Sequence, residues 1–221
     1  NKEAQARLIT VVEDVEDIPG AALHEGVKWD WESFPEYLDA VEKFPRAIDV
    51  GAQVPHCAVR TYVMGERGAK NELATPEDVT AMAAIVKEGI EHGAIGFTTS
   101  RTELHTTGGE QAMPGTYADE AELLGIGKVI GELGGKGIFG LVSDFHNWEQ
   151  EMDWMKRLSI DNNCQINFVL FFREEADWDR VLKQLAYSRE ANAEGAQLIP
   201  HVGARPVNIL LSWDGTINPF S

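Results

Sequence analysis

Cysteine is scarce: Cys57 and Cys164 are the two among 221 residues, far apart and in no CxxC pair. That density excludes a disulfide framework and fits free thiols in a reducing compartment, so a cytoplasmic location is the expectation. No apolar run approaches the roughly 18 residues of a membrane span. The opening residues, Asn1-Lys2-Glu3-Ala4, carry neither a signal-peptide apolar stretch nor an initiating Met. Basic residues are few as well: 19 Lys and Arg against 36 Asp and Glu leave a net charge of −17. This balance excludes a nucleic-acid backbone or an anionic membrane surface as the main partner. Core material is not lacking, since 43% of the residues are hydrophobic, which rules out wholesale disorder. Acidic pairs such as Glu13-Asp14, Glu16-Asp17 and Glu174-Glu175 read as solvated helix exteriors.

Apolar positions 8, 11, 12, 15 and 18 predict a helix from Leu8 to Ile18, ended by Pro19-Gly20. Ser33, with Glu36 three residues on, predicts a capped helix from Phe34 to Lys43. The short apolar run 47–52 reads as a buried strand. The pattern then alternates. Thr75-Pro76-Glu77-Asp78 opens a helix that Gly93 ends, and Ala94–Phe97 is a strand. Thr116 is expected to cap a helix through Leu133, followed by strand Ile138–Val142 and a helix carrying Trp148, Met152 and Met155. Strand Ile166–Phe172, a helix with Val181, Leu182 and Leu185, and strand Ala196–Ile199 complete the series. Later units repeat at about 30 residues, as βα units do. Strictly alternating elements call for a parallel sheet covered by helices, either open and doubly wound or part of a (β/α)₈ barrel. No G-x-G-x-x-G follows a strand and no phosphate-loop motif occurs, which weakens the nucleotide-binding open sheets.

Both architectures bind ligands at the carboxyl ends of their strands. There the sequence places His56 and Arg60; Ser100, Arg101, Glu103 and His105; Asp144 and His146; Arg173; and His201 with Arg205. Convergent His, Asp and Arg side chains suit metal-assisted hydrolysis or acid–base work on an anionic substrate, with arginine holding a carboxylate. Metal signatures are missing: there is no H-x-H, H-E-x-x-H or paired cysteine. Asp144 and His146 form the one close mixed pair of candidate ligands, and on a continuing strand they would face opposite ways, so joint chelation requires a turn. Cys57 beside His56 reads as a structural thiol, because adjacent side chains rarely face each other. Trp29, Trp31, Phe34 and Tyr37 read as packing rather than a pocket lining, and His24 and His92 as surface residues.

Longer stretches resemble a known family. Glu16-Asp17-Ile18-Pro19, Lys28 to Leu38 (KWDWESFPEYL), Gln53-Val54-Pro55-His56, Tyr62 to Arg67 and Gly93 to Arg101 resemble the D-aminoacylase, or N-acyl-D-amino-acid deacylase, branch of the amidohydrolase superfamily. The resemblance implies a metal-dependent (β/α)₈ barrel, here a central fragment of about five βα units. Residues 1–45 would be a helical lead-in and 46–221 the βα repeats of one partial barrel domain. It implies hydrolysis of amide C–N bonds of small acyl-amino-acid-like molecules, usually with zinc. The branch's H-x-H and catalytic Asp have no counterpart in this sequence, so the principal ligands and catalytic groups are expected outside it and the isolated piece is expected to be inactive. Within it, Arg101, Arg205, Ser100, His56, His105 and His201 are the substrate-binding candidates, and Asp144 and His146 the metal candidates. A mid-barrel ligand histidine of the branch aligns near Phe171-Phe172-Arg173, where none stands. A silent barrel that binds a small carboxylate or a partner, and a glycosidase using Glu103 and Asp144, are the rival expectations.

Overall fold

The computed structural model describes residue 9 and residues 18–107, 111–172, 175 and 177–203. The helix expected over Leu8–Ile18 lies almost wholly outside the described residues, as do Arg173, Glu174 and Arg205. Helix α1 spans Gly20–Gly26, so Pro19-Gly20 opens a helix. Pro19 stands just before the first turn, where a missing N–H costs no helical hydrogen bond. Helix α2, Phe34–Glu42, starts as expected: Ser33 Oγ accepts from the Glu36 N–H while the Glu36 carboxylate accepts from the Ser33 N–H.

Strand β1 is Gln53–Pro55, not the run 47–52. Its pairing with the next strand begins at Gln53↔Gly96, and the residues before it run past the sheet, leaving Ile48 and Val50 at 76% and 59% exposure. Helices α3 (His56–Met64) and α4 (Glu66–Ala69) follow at once. Helix α5, Pro76–Glu91, has the Thr75/Asp78 capping box, and β2 is Gly96–Arg101, so Thr98 to Arg101 belong to the strand itself. Two short antiparallel strands, β3 (Thr106–Thr107) and β4 (Gln111–Ala112), form a hairpin that periodicity did not anticipate. Helix α6, Glu120–Glu132, is capped by Asp119, whose carboxylate accepts from the Glu122 N–H; Thr116 lies in the turn before it. Then come β5 (Ile138–Ser143), α7 (Trp148–Asn162), β6 (Gln165–Val169), α8 (Asp177–Ala193) and β7 (Leu198–His201).

The large sheet is parallel throughout, in the order β1-β2-β5-β6-β7. Chain order and spatial order coincide, with no reversal. Because parallel crossovers are right-handed, an order without reversal puts every connecting helix on the same face. That is the winding of a barrel; a doubly wound sheet needs a switch point. Accordingly Val54, Phe97, Phe139, Leu141, Ile166, Phe168 and Leu198 form one buried face, joined to Met82, Val86, Leu123, Ile126, Met152, Met155 and Leu158 of the helices. The other face carries Gln53, Thr98, Ser100, Gln165, Asn167 and His201 at half-buried or exposed positions.

Helix α6 is rich in glycine, a poor helix former at about 1 kcal/mol per residue. The reason is its place between α5 and α7. A Cβ on Gly125 would stand 2.4 Å from Val79, one on Gly127 2.6 Å from Leu158, and one on Gly131 2.1 Å from the Asn162 carbonyl oxygen. Gly131→Ala therefore collides with backbone and should lower stability at the upper end of the roughly 1–3 kcal/mol range for overpacking. Gly127→Ala meets a movable leucine tip and should cost less. Urea midpoints of the two variants check the order.

Candidate functional site

Three structures meet at the carboxyl edge of β1, β2 and β5. The innermost is a closed polar network. His56, Arg60 and Glu122 are each 1% exposed. His56 Nε2 lies 2.7 Å from Glu122 Oε1, and Nδ1 lies 2.8 Å from Thr99 Oγ1. Arg60 donates from Nε to Glu122 Oε1 at 2.9 Å, from Nη1 to the Gly68 carbonyl at 2.9 Å, and from Nη2 to the Glu72 carbonyl. Burial pushes the His56 ring below the ordinary imidazole range, so it is held neutral. Burial alone would raise the Glu122 carboxyl, but hydrogen bonds from His56 and Arg60 outweigh it and hold the group below the ordinary carboxylate range. The assignment that follows has Thr99 donating to Nδ1 and the Nε2 proton donated to Glu122. His56 and Arg60, read from sequence as strand-exit groups, thus lie inside the fold and bond to protein.

The second structure is the exit of β2. Ser100 Oγ lies 2.7 Å from His105 Nδ1. Arg101 grips Glu151 with Nε and Nη2, at 2.9 and 2.7 Å, and donates from Nη1 to the Ala118 carbonyl at 2.7 Å. The guanidinium is thus already paired with a carboxylate of the protein.

The third structure joins the β2 and β5 exits. Phe145 adopts φ +55°, the left-handed turn that brings Asp144 and His146 to one side. Glu103 arrives from the β2 exit, and these three residues each offer a ligand atom, all within 4.8 Å of one another. Thr102 Oγ1 and the Glu103 N–H donate to the two oxygens of Asp144, each at 2.7 Å. His146 Nε2 stands 3.9 Å from both Asp144 Oδ2 and Glu103 Oε2. Two carboxylates and an imidazole are a donor set that suits a divalent cation such as zinc. His201 lies at the far end of the edge, exposed at the close of β7.

The remaining candidates behave as bland residues. Burial pushes both thiols up, Cys164 to about 12, so neither is a ready thiolate. Trp29, Trp31, Phe34 and Tyr37 pack on one another with centroids 5.4–5.7 Å apart. His24 and His92 are exposed. Sequence reasoning missed Glu122 and Glu151. Glu122 was within reach, since it shares the 3.6-period stripe of Ile126 and Ile130, where a charge needs a buried partner. Among the described residues no helix is long and apolar enough to cross a membrane.

A family model described as the amidohydrolase family matches residues 2–210. The D-aminoacylase of Alcaligenes xylosoxydans xylosoxydans is 35% identical over 77 residues, 35% of this chain and 15% of that protein. The zinc- and phosphonate-bound N-acyl-D-glutamate deacylase of Bordetella bronchiseptica superposes with a TM-score of 0.63 at 20% identity, over 79% of this chain and 34% of that one. A D-aminoacylase with a binuclear metal centre gives 0.62 at 19% identity, over 77% and 33%. The chain therefore spans only a minor part of each relative. Likeness of this kind establishes the fold: the five-stranded sheet is part of an amidohydrolase (β/α)₈ barrel.

Removing one partner of the buried pair leaves an uncompensated charge, so Glu122→Gln and Arg60→Met should each cost about 3–5 kcal/mol, and a double apolar replacement should recover part of it. Both titrating groups have depressed folded-state values, so each stabilises above its unfolded value and loses that stabilisation as pH falls. Stability should decline first below about 6.5, through His56, and again below about 4.3, through Glu122. Melting temperatures from pH 8 to 3 check this, with His56→Gln abolishing the upper step alone.

Proposed function

The chain belongs to the amidohydrolase family, and we propose that its strand-exit edge serves the hydrolysis of an amide C–N bond in small N-acyl amino acids or related molecules. The observation that carries this reading is the convergence of Glu103, Asp144 and His146 from two adjacent strand exits, on the same edge as the Ser100–His105 pair. We assign these three residues as ligands to a divalent metal, zinc by analogy of donor type. A bound cation of this kind polarises a carbonyl and lowers the pKa of water. Thr102 and the Glu103 N–H fix the Asp144 carboxylate, the supporting role that outer-shell donors play at metal sites. Ser100 Oγ and His105 Nδ1, 2.7 Å apart, form a hydroxyl–imidazole pair at the same edge, groups of the type that move protons in hydrolysis. Arg101 braces the edge through Glu151, which leaves Arg205 and His201 as the proposed contacts for the substrate carboxylate. A single domain over 1–221, cytoplasmic and acting on a small molecule, is part of the same proposal.

A silent barrel that only binds a carboxylate is the second reading. It is favoured by the β6 exit, where Leu170, Phe171 and Phe172 offer no ligand or proton donor from their side chains.

Metal analysis and turnover of the natural full-length protein separate the two. The hydrolase reading expects stoichiometric divalent metal, hydrolysis of N-acyl amino acids that a chelator stops and zinc restores, and loss of metal in Asp144→Asn. Thr102→Val should weaken metal binding by about 10–100-fold. Activity untouched by Asp144→Asn would remove these ligands from the mechanism, and a metal-free protein that binds but never cleaves would favour the silent barrel.

A further inference from the structure

We propose that Tyr117 is a positioning residue of the metal centre: its hydroxyl engages one oxygen of Glu103 and keeps the other turned toward His146; this rests on the ligand assignment above. The two carboxylates of the cluster are arranged alike. Glu103 Oε2 stands 3.9 Å from His146 Nε2, while Oε1 accepts from the Tyr117 hydroxyl at 3.3 Å. Asp144 Oδ2 stands 3.9 Å from the same nitrogen, while Oδ1 accepts from the Thr102 hydroxyl at 2.7 Å. Each carboxylate thus has one oxygen engaged by a protein hydroxyl and one facing the imidazole. An oxygen already engaged by a donor is the poorer ligand, so each carboxylate offers a cation a single atom. With the imidazole that makes three single-atom ligands, the number found at catalytic zinc sites, where water takes the remaining position.

Of the two carboxylates, Glu103 is the one that needs a hold. Its side chain is 61% exposed, whereas that of Asp144 is 7% exposed. Fixing a long exposed side chain costs rotamer entropy. One hydrogen bond on such a carboxylate restrains it without locking it, so Glu103 can swing to admit a cation and return.

The phenol is itself carried on a pinned turn. Tyr117 follows Gly115, whose N–H donates to Asn71 Oδ1 at 2.8 Å, and Asn71 Nδ2 donates to the Met113 carbonyl at 3.2 Å. It precedes Ala118, whose carbonyl accepts from Arg101 Nη1 at 2.7 Å. Glu151 holds the same guanidinium through Nε and Nη2. Arg101, expected from sequence to grip a substrate carboxylate, therefore fixes the turn that carries Tyr117, and Tyr117 restrains the ligand. The supporting role is the one that Thr102 has toward Asp144.

The test is calorimetric titration of zinc into the natural full-length protein, with this site's share defined as the binding that Asp144→Asn removes. Tyr117→Phe, which keeps the ring and spares the fold, should weaken that binding by about 10–100-fold. In a Glu103→Gln background the same change should have no further effect, whereas its effect should add to that of Thr102→Val, which acts through the other carboxylate. Cobalt(II) in place of zinc gives a readout that a merely structural residue would not move. Its visible absorption follows ligand number and geometry, so the spectrum should change in Tyr117→Phe, where Glu103 is free to turn its second oxygen to the ion. Unaltered zinc affinity in Tyr117→Phe, or an equal loss with and without Glu103, overturns the positioning role and leaves the ligand assignment intact. Zinc binding that Asp144→Asn does not reduce overturns the ligand assignment, and the role of Tyr117 falls with it.

Discussion

The buried pair between Arg60 and Glu122, with His56 enclosed beside it, is the interaction on which the strand-exit edge depends. Taking two charges out of water costs several kcal/mol per ion, and attraction alone does not reliably offset it. Here the offset comes from complete hydrogen bonding. The bonded groups come from several parts of the chain: α3 supplies His56 and Arg60, α6 supplies Glu122, β2 supplies Thr99, which bonds His56, and Gly68 of α4 and Glu72 beyond it supply carbonyls to Arg60. The network can close only when all of these are in register. Gly115, at φ +102°, lies against the His56 ring so closely that a Cβ there would sit 2.7 Å from Nδ1. The turn that leads from the β3–β4 hairpin into α6 is thereby pressed onto the same cluster.

From that fixed cluster the chemistry-bearing residues follow by alternation. Thr99 points into the network, so its neighbours Thr98 and Ser100 point to the opposite face of β2. Ser100 then reaches His105 just beyond the strand. Thr102, fully buried, turns the chain and donates to Asp144, which ties the β2 exit to the β5 exit. Arg101 and Glu151 add a second cross-brace between β2 and α7. The candidate metal ligands Glu103 and His146 are exposed, but the carboxylate between them is 7% exposed and doubly hydrogen-bonded. A preorganised central ligand flanked by two movable ones is a workable geometry for metal uptake from solvent.

Much of this architecture was legible beforehand because it rests on local rules. Ser33/Glu36 and Thr75/Asp78 announce helix starts through hydrogen bonds that reach only three residues. Strand limits were less legible, since they depend on which residues find a partner. Ala47–Ala52 is apolar enough for a buried strand, but register places Gln53 opposite Gly96 and leaves that run beyond the sheet. Thr116 and Asp119 are equally good caps by type, and the tertiary turn at Gly115 decides between them. Sequence placed Ser100, Arg101, His105, Asp144, His146 and His201 at the carboxyl ends of the strands, where the structure also has them. It could not show that Arg101 is already paired, because Glu151 lies 50 residues away in sequence. Nor could it show that His56 is enclosed, which takes Glu122 from another helix.

The sheet's second face bears on what kind of barrel this segment builds. Barrel interiors are commonly filled by bulky branched side chains in layers. Here Pro55, Thr98, Gly140, Asn167 and Ile199 lie side by side across the five strands by register. The Gln53 carboxamide occupies the space a side chain at 140 would take, its Nε2 3.0 Å from that Cβ position and 3.5 Å from the Phe97 carbonyl. Gln165 donates to Asn167 within the same face. Amides buried in a closed interior require hydrogen-bond partners at every turn. A face built from Gln53, Thr98, Gln165 and Asn167 therefore favours hydrogen-bonding groups opposite it over a purely apolar plug. On β2 that polarity runs from Thr98 to Ser100 at the strand-exit edge, whereas Val142, Val169 and Ile199 break it on the neighbouring strands.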